Sequence, residues 1–240
     1  YIMEKSKKFK IILGLFYLIV VSSFLFFFLS KFTIEELTSY EFIRNNRNYF
    51  FNLRESSLVL LSIIFFLSLI VWVLLGGFGS PVALLGGFIF GKWLGTFIVV
   101  LGLSIGATFL YIFGNYFLKE IIEKKFLIKF KKLEVKFKKS EFNYLLIYRF
   151  IGGIPFAISN VLPCIFNVKI INFFLATLIG IVPQIFLMVS IGTGIEKIIE
   201  ENLETPKIVD LIYSQEIYIP LISFLVLVIF TIIARKIFYK

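Results

Sequence analysis

Long apolar runs separated by short charged stretches set the pattern of this chain. Residues 11–30 are almost wholly apolar and follow Lys5, Lys7, Lys8 and Lys10. Twenty apolar residues are long for a signal peptide, and no small-residue cleavage site follows, so the run predicts an uncleaved spanning helix. Residues 31–56 mix Glu35, Glu36, Glu41 and Glu55 with Lys31, Arg44, Arg47 and Arg54 and predict a helical surface segment. Residues 57–75 predict a second span. Further helices are predicted over 93–118, 168–194 and 217–234, the last running into the basic end Arg235, Lys236 and Lys240.

Between these spans the texture changes. Ten of the sixteen glycines lie between Gly76 and Gly114. The run Gly76-Gly77-Phe78-Gly79-Ser80-Pro81 opposes a regular helix, because Gly is costly and Pro lacks a donor. Residues 76–91 therefore predict a broken, re-entrant segment, and 143–166, with Pro155 and Pro163, predict another. The two halves echo each other: Pro81 precedes Gly106 by 25 residues, Pro155 precedes Gly180 by 25, and Ala83 and Ala157 fall at matching offsets. Paired interrupted apolar segments point to a transporter-like inverted repeat. Small residues such as Gly95, Gly102, Gly106 and Ala107 would let neighbouring helices approach closely.

Composition agrees with a polytopic, all-α membrane protein: 59% of residues are hydrophobic, 19% aromatic, and mean hydropathy is +0.96. The chain divides into 1–56, an N-terminal helix and linker; 57–195, a core with the two broken segments; and 196–240, an acidic loop and a last helix. The net charge of +10 is not a nucleic-acid footprint, since the lysines cluster beside apolar runs as membrane topology requires. Residues 119–142 carry nine lysines against four glutamates. They read as an amphipathic surface helix, with Ile122, Phe126, Phe130, Leu133 and Phe137 on one side, or as a basic loop that sets topology. Charge bias places 1–10, 119–142 and the C-terminus in the cytoplasm and 195–216 outside. That demands an odd number of crossings in 57–118, so either a broken segment crosses fully or the charge rule gives way. With no His and the single Cys164, His-based metal sites and thiol clusters are excluded and no cofactor is expected. The spans also lack paired carboxylates, so acid–base and nucleophilic enzyme chemistry lack components.

The chemistry concentrates in Tyr148-Arg149-Phe150-Ile151-Gly152-Gly153-Ile154-Pro155-Phe156-Ala157-Ile158-Ser159-Asn160. A cation in hydrocarbon costs several kcal/mol and marks a site. Arg149 can hold a phosphate bidentately, the breaks near Pro81 and Pro155 would expose helix N-termini, and Gly152 and Gly153 would let backbone approach. Asn160 offers both donors and acceptors, for orienting a headgroup or for tying the two hairpins together. The competing reading has Arg149 snorkelling as an interfacial anchor. Lys92, beside Trp93, reads as an anchor or a second phosphate contact. Gly86, Gly87, Gly91, Gly106, Gly180, Pro81, Pro155 and Pro183 read as architectural.

These residues carry a resemblance. Arg149-x-x-Gly152-x-x-Pro155-Phe156-x-x-x-Asn160, followed by Val168, Phe173, Thr177, Gly180 and Pro183, resembles the SNARE-associated Golgi protein, or VTT-domain, family that includes the bacterial DedA proteins. Ser80-Pro81, Gly86-Gly87, Phe90-Gly91, Gly95 and Gly106 resemble its first re-entrant motif, so the likeness covers roughly 57–195. The resemblance implies two opposed re-entrant hairpins packed against transmembrane helices. It also implies lipid movement between leaflets, as a phospholipid scramblase or a polyprenyl-phosphate flippase. Two features depart from the family pattern: Gly152 stands where a proline is common, and residues 56–118 contain no Asp or Glu. Without a carboxylate there, proton-driven transport lacks a carrier, which favours passive, bidirectional scrambling or another coupling ion.

The expectation is thus a non-enzymatic lipid translocator in a cell membrane. Its partners would be the bilayer and a phospholipid or polyprenyl phosphate, with homo-oligomers compatible. The richness in Phe, Ile, Lys and Asn fits AT-rich coding and a bacterial inner membrane. An ion-coupled small-solute transporter and a scaffold without transport activity are the alternatives.

Overall fold

The computed structural model describes residues 40–122, 138–151 and 156–201, together with positions 12, 14–17, 19, 22, 23, 26, 30, 213, 215, 218–223, 225, 226 and 229. Among the described residues every regular element is helical. Helix α1 (Tyr40–Leu74) joins the expected surface segment to the second span, with Ser57 departing from helical geometry inside it (φ −162°, ψ 86°). Its apolar stretch Phe51–Leu74 has 24 residues and a mean hydropathy of 2.8. Helix α2 (Gly79–Phe90) leads through Gly91 into α3 (Lys92–Ile122). Then come α4 (Glu141–Ile151), the short α5 (Phe156–Val161) with a 3-10 turn (Leu162–Phe166), α6 (Ile170–Gly180) and α7 (Val182–Glu201).

Among the described residues two helices are long and apolar enough to cross a bilayer, Phe51–Leu74 and Lys92–Phe117. A third span exists if Ile170–Gly180 and Val182–Lys197, bent by 42° at their junction, cross as one. The expected helix over 168–194 is therefore broken in its middle. Pro183 explains it: a proline there cannot donate to the carbonyl four residues back, and its ring crowds that turn.

Helix α2 is more regular than its glycines and proline suggest. The chain turns at Gly76 (φ 81°) and the helix restarts at Gly79, so Pro81 falls in its first turn, where a missing N–H costs nothing. At twelve residues it is about 18 Å long, short of a hydrocarbon core about 30 Å thick. It stops at Gly91 (φ 75°, ψ −179°), whose N–H bonds the Gly87 carbonyl at 2.9 Å. That backbone region is accessible essentially to glycine alone.

The spans differ sharply in surroundings. Only 11% of the α1 window is buried inside the protein, against 61% for α3. So α1 turns most of its apolar surface to lipid, and α3 is the central post, packed by α1, α2, α5, α6 and α7. Its face toward α1 carries the small residues Gly102 and Gly106, which Leu69 and Val73 overlie. Elsewhere α2 lies on α7, and α4 lies on α6. From the N-terminal helix, Tyr17 donates to the Leu74 carbonyl and tilts its ring against Phe113 at 4.9 Å. Most of the expected basic segment 119–142 and of the last helix lies outside the described residues.

Candidate functional site

Four elements meet around Arg149. Leu145 and Arg149 stand one helical turn apart on the inward face of α4, and both are buried, with Arg149 only 4% exposed. Arg149 Nε donates to Thr177 Oγ1 of α6 at 3.0 Å, and Nη1 donates to Ser159 Oγ of α5 at 2.7 Å. Ser159 Oγ in turn donates a hydrogen bond to the Phe156 carbonyl at 2.8 Å. The guanidinium lies over the Phe173 ring at 4.9 Å, with the Tyr148 and Phe156 rings each at 5.9 Å. Phe173 in turn stacks on Tyr111 of α3 at 4.4 Å, and Tyr111 donates to the Val168 carbonyl at 2.7 Å. The cation is therefore held within the protein and does not snorkel to an interface.

What the cation lacks is an opposite charge. Among the described residues no carboxylate pairs with Arg149, and its Nη2 has no hydrogen-bond partner. Asn160, fully buried beside Ser159, has a partner for neither amide atom, and the buried Ser104 hydroxyl of α3 is also unpartnered. Buried polar groups are normally satisfied, so the open Arg149 Nη2 and the Asn160 amide, next in the chain to Ser159, describe a place built to receive polar atoms. Because guanidinium and amide both donate, an oxyanion is the complementary guest.

The backbone around the arginine is braced from α7. Gln184 Nε2 donates to the Arg149 carbonyl at 3.0 Å and the Phe150 carbonyl at 2.9 Å, serving the orphan acceptors at the end of α4. Gly180 lets α6 lie against Arg149, since an added Cβ would sit 2.6 Å from the arginine's own Cβ. A groove of about 900 Å3 runs along α4, lined among others by Leu146, Ile147, Phe150, Trp93 and Phe186. It is apolar, and the guanidinium turns away from it.

The structure brings Arg149 and Asn160 into one neighbourhood and leaves Lys92 apart. Lys92 opens α3 nineteen residues before Tyr111, the α3 residue stacked on the ring under the guanidinium, about 28 Å of helix. Gly152, Gly153 and Pro155 lie outside the described residues. Of the architectural residues, Pro81 and Pro183 each sit in the first turn of a helix. Gly86 lies under Val99, Gly87 against the Val189 carbonyl, Gly91 at the α2–α3 turn and Gly106 against Val73. Cys164 is buried and points its thiol to the Tyr111 carbonyl at 3.5 Å.

Sequence reasoning missed Ser159, Ser104 and Gln184. Only their polarity within apolar segments marked them. Ser104 stands in Gly102-Leu103-Ser104-Ile105-Gly106, the spacing of a hydrolase nucleophile elbow. That device needs a strand-to-helix turn and a histidine; here the segment is continuous helix and the chain has no His.

The comparisons with known proteins converge. The chain is 28% identical over 136 residues to a "Transmembrane protein 41 homolog" of Dictyostelium discoideum, covering 54% of this chain and 41% of that one. It is 30% identical over 115 residues to the "Uncharacterized protein YqeD" of Bacillus subtilis (strain 168), covering 47% of this chain and 55% of that one. The chain thus spans about half the length of these curated relatives. No solved structure matches. The VTT domain profile matches residues 75–194, half of the chain, from the turn before α2 to the middle of α7. With the buried arginine and both helix breaks inside that stretch, the chain is a membrane protein of the VTT-domain family.

Proposed function

We propose that this protein moves lipids between leaflets, with Arg149 receiving the phosphate of the headgroup. The observation that carries the reading is the buried guanidinium with no carboxylate partner among the described residues and one N–H edge unpartnered. Holding such a cation in a bilayer costs several kcal/mol, and a visiting phosphate offsets that cost. Membership of the VTT-domain family supports a lipid-related role. The apolar groove along α4 supports it too, because acyl tails could stay in contact with the helix that carries the arginine. No step requires bond chemistry, so the protein acts as a translocator and not an enzyme.

An inverted repeat of two re-entrant hairpins is the architecture that fits this role. Its support is a reciprocal pattern of contacts. In the first half, Gly87 of α2 packs on Val189 of α7. Moving 74 residues along from Gly87 gives Val161 of α5, and Val161 packs on Gly114 of α3, 75 residues before Val189. Each short broken element thus rests on the long helix of the other half. The pairing of α1 with α3 is likewise matched by that of α4 with α6. A pseudo-two-fold axis relates such contacts in transporters whose halves rock about a central site.

The test is a scrambling assay in liposomes with tail-labelled phospholipid and an impermeant reductant outside. Protein-dependent bleaching beyond the outer leaflet's half is expected, and Arg149→Ala, checked for retained thermal unfolding in detergent, should abolish it. Bleaching that stops at half for the unaltered protein overturns phospholipid scrambling and leaves a selective polyprenyl-phosphate carrier or a solute transporter.

A further inference from the structure

We infer that the apolar groove between α3, α4 and the α6–α7 junction is a slot for the acyl tail of a bilayer phospholipid, the position from which a lipid enters translocation. This rests on the lipid-translocator reading and adds where the tail sits.

The groove exists because a span is broken. Helices α6 and α7 bend by 42° at their junction, and Ile179, Val182 and Pro183, which flank the bend, form one wall. Pro183 withholds a donor from the carbonyl of Ile179, four residues back, so the bend and the space beside it follow from the sequence. Phe150 of α4 and Phe97 and Leu101 of α3 complete the walls. The space is about 900 Å3, far larger than the voids of a close-packed interior. In a bilayer it is filled.

The lining decides what fills it. Apart from the Trp93 indole at one end, Thr96 is the only polar side chain of the described lining, and its Oγ1 donates to the Lys92 carbonyl at 2.6 Å. A pocket for a polar solute carries several convergent polar groups. Here none is left over, so the guest is hydrocarbon.

Position in the bilayer points to a lipid's own tail. Trp93 is 78% exposed, follows Lys92 at the start of α3, and tilts against Phe186 of α7 at 5.4 Å. Trp and Lys at the end of a span mark the headgroup level. From Trp93 to Leu101 is eight residues, about 12 Å of helix. The hydrocarbon of one leaflet is about 15 Å deep. The groove therefore runs from one interface to mid-membrane and serves a single leaflet. Its inner part meets Leu146 and Phe150, on the turn of α4 that carries Arg149. The tail thus lies on one side of that turn and the cation on the other.

The experiment adds palmitoyl-oleoyl phosphatidylglycerol to delipidated protein in detergent and counts retained lipid by native mass spectrometry. One lipid per protein is expected. Lysophosphatidylglycerol, with one tail, should displace it, and glycerophosphoglycerol, the same headgroup without tails, should not. Ile179→Trp and Thr96→Trp fill the groove and should each weaken retention at least tenfold. Phe109→Trp, at a half-exposed position of α3 outside the lining, should leave retention unchanged. Unchanged thermal unfolding without lipid excludes misfolding as the cause, and two filling variants on different helices guard against failure of either.

In liposomes the filling variants should translocate at least fivefold more slowly than the unaltered protein. Retention that survives both fillings, or displacement by glycerophosphoglycerol, overturns the tail slot. Lost retention with undiminished translocation overturns its place on the lipid's path. An unaltered protein that retains the lipid in the expected pattern but moves none overturns translocation and leaves the slot standing.

Discussion

Replacing Gly87 with alanine should separate α2 from α7. A Cβ at Gly87 would lie 1.9 Å from the Val189 carbonyl oxygen. Ordinary carbon–oxygen contacts begin near 3.3 Å, so the helices must part locally by about 1.4 Å. The obstacle is backbone and cannot rotate aside. Overpacking of this kind costs about 1–3 kcal/mol. Parting also breaks the 3.1 Å bond from Thr193 Oγ1 to the Gly87 carbonyl, worth about 1 kcal/mol. Alanine returns up to about 1 kcal/mol through its better helix propensity. The net is a loss of about 2 kcal/mol, or about 4–8 °C in Tm for a chain of this size. Thermal unfolding of the purified protein in detergent measures it, with Gly14→Ala as the control, since a Cβ there meets nothing within 4 Å. A Tm for Gly87→Ala indistinguishable from that of the control would refute the close packing of these two helices.

Three other perturbations are informative. Thr177→Val keeps the shape but removes the acceptor of Arg149 Nε; it should cost about 1.5–3 kcal/mol in detergent unfolding, because a buried charged donor is left unpaired. Gly91→Ala places a side chain at φ 75° and should cost about 1–3 kcal/mol, read as a lowered Tm. The half-buried pair Arg47–Glu196, at 2.9 Å, ties α1 to α7 across 149 residues. Arg47→Glu should lower the Tm, and the exchange Arg47→Glu with Glu196→Arg should restore at least half of the loss; failure of the exchange to restore any would show that the attraction is not what counts there.

Local features of the sequence determined a good deal. Apolar runs long enough to cross hydrocarbon report themselves residue by residue, which is why the spans at 57–75 and 93–118 are close to what is observed. A glycine pair or a proline acts on its own turn of backbone, so the interruptions near 76–91 and 143–166 were legible, and a lone arginine among apolar residues stands out against any background. Even so, local rules misjudged the detail. Pro81 opens a regular helix because the chain restarts at Gly79, and the helix expected over 168–194 bends at Ile181.

Only the tertiary structure decided what Arg149 touches. Ser159, Phe173 and Thr177 lie 10 to 28 residues away, and Gln184, bracing its carbonyl, lies 35 away. No periodicity within α4 encodes those partners. They are set by how α6 crosses α4, which Gly180 permits by leaving room for the arginine's Cβ. The same holds for the separation of Lys92 from the site: charge alone invited the pairing, and the length of α3 keeps the two apart. Composition and spacing state what each segment can be in a bilayer, because solvation acts on every residue alone. Which polar groups meet, and which remain unpartnered beside the cation, depends on contacts between distant segments that exist only once the helices are packed.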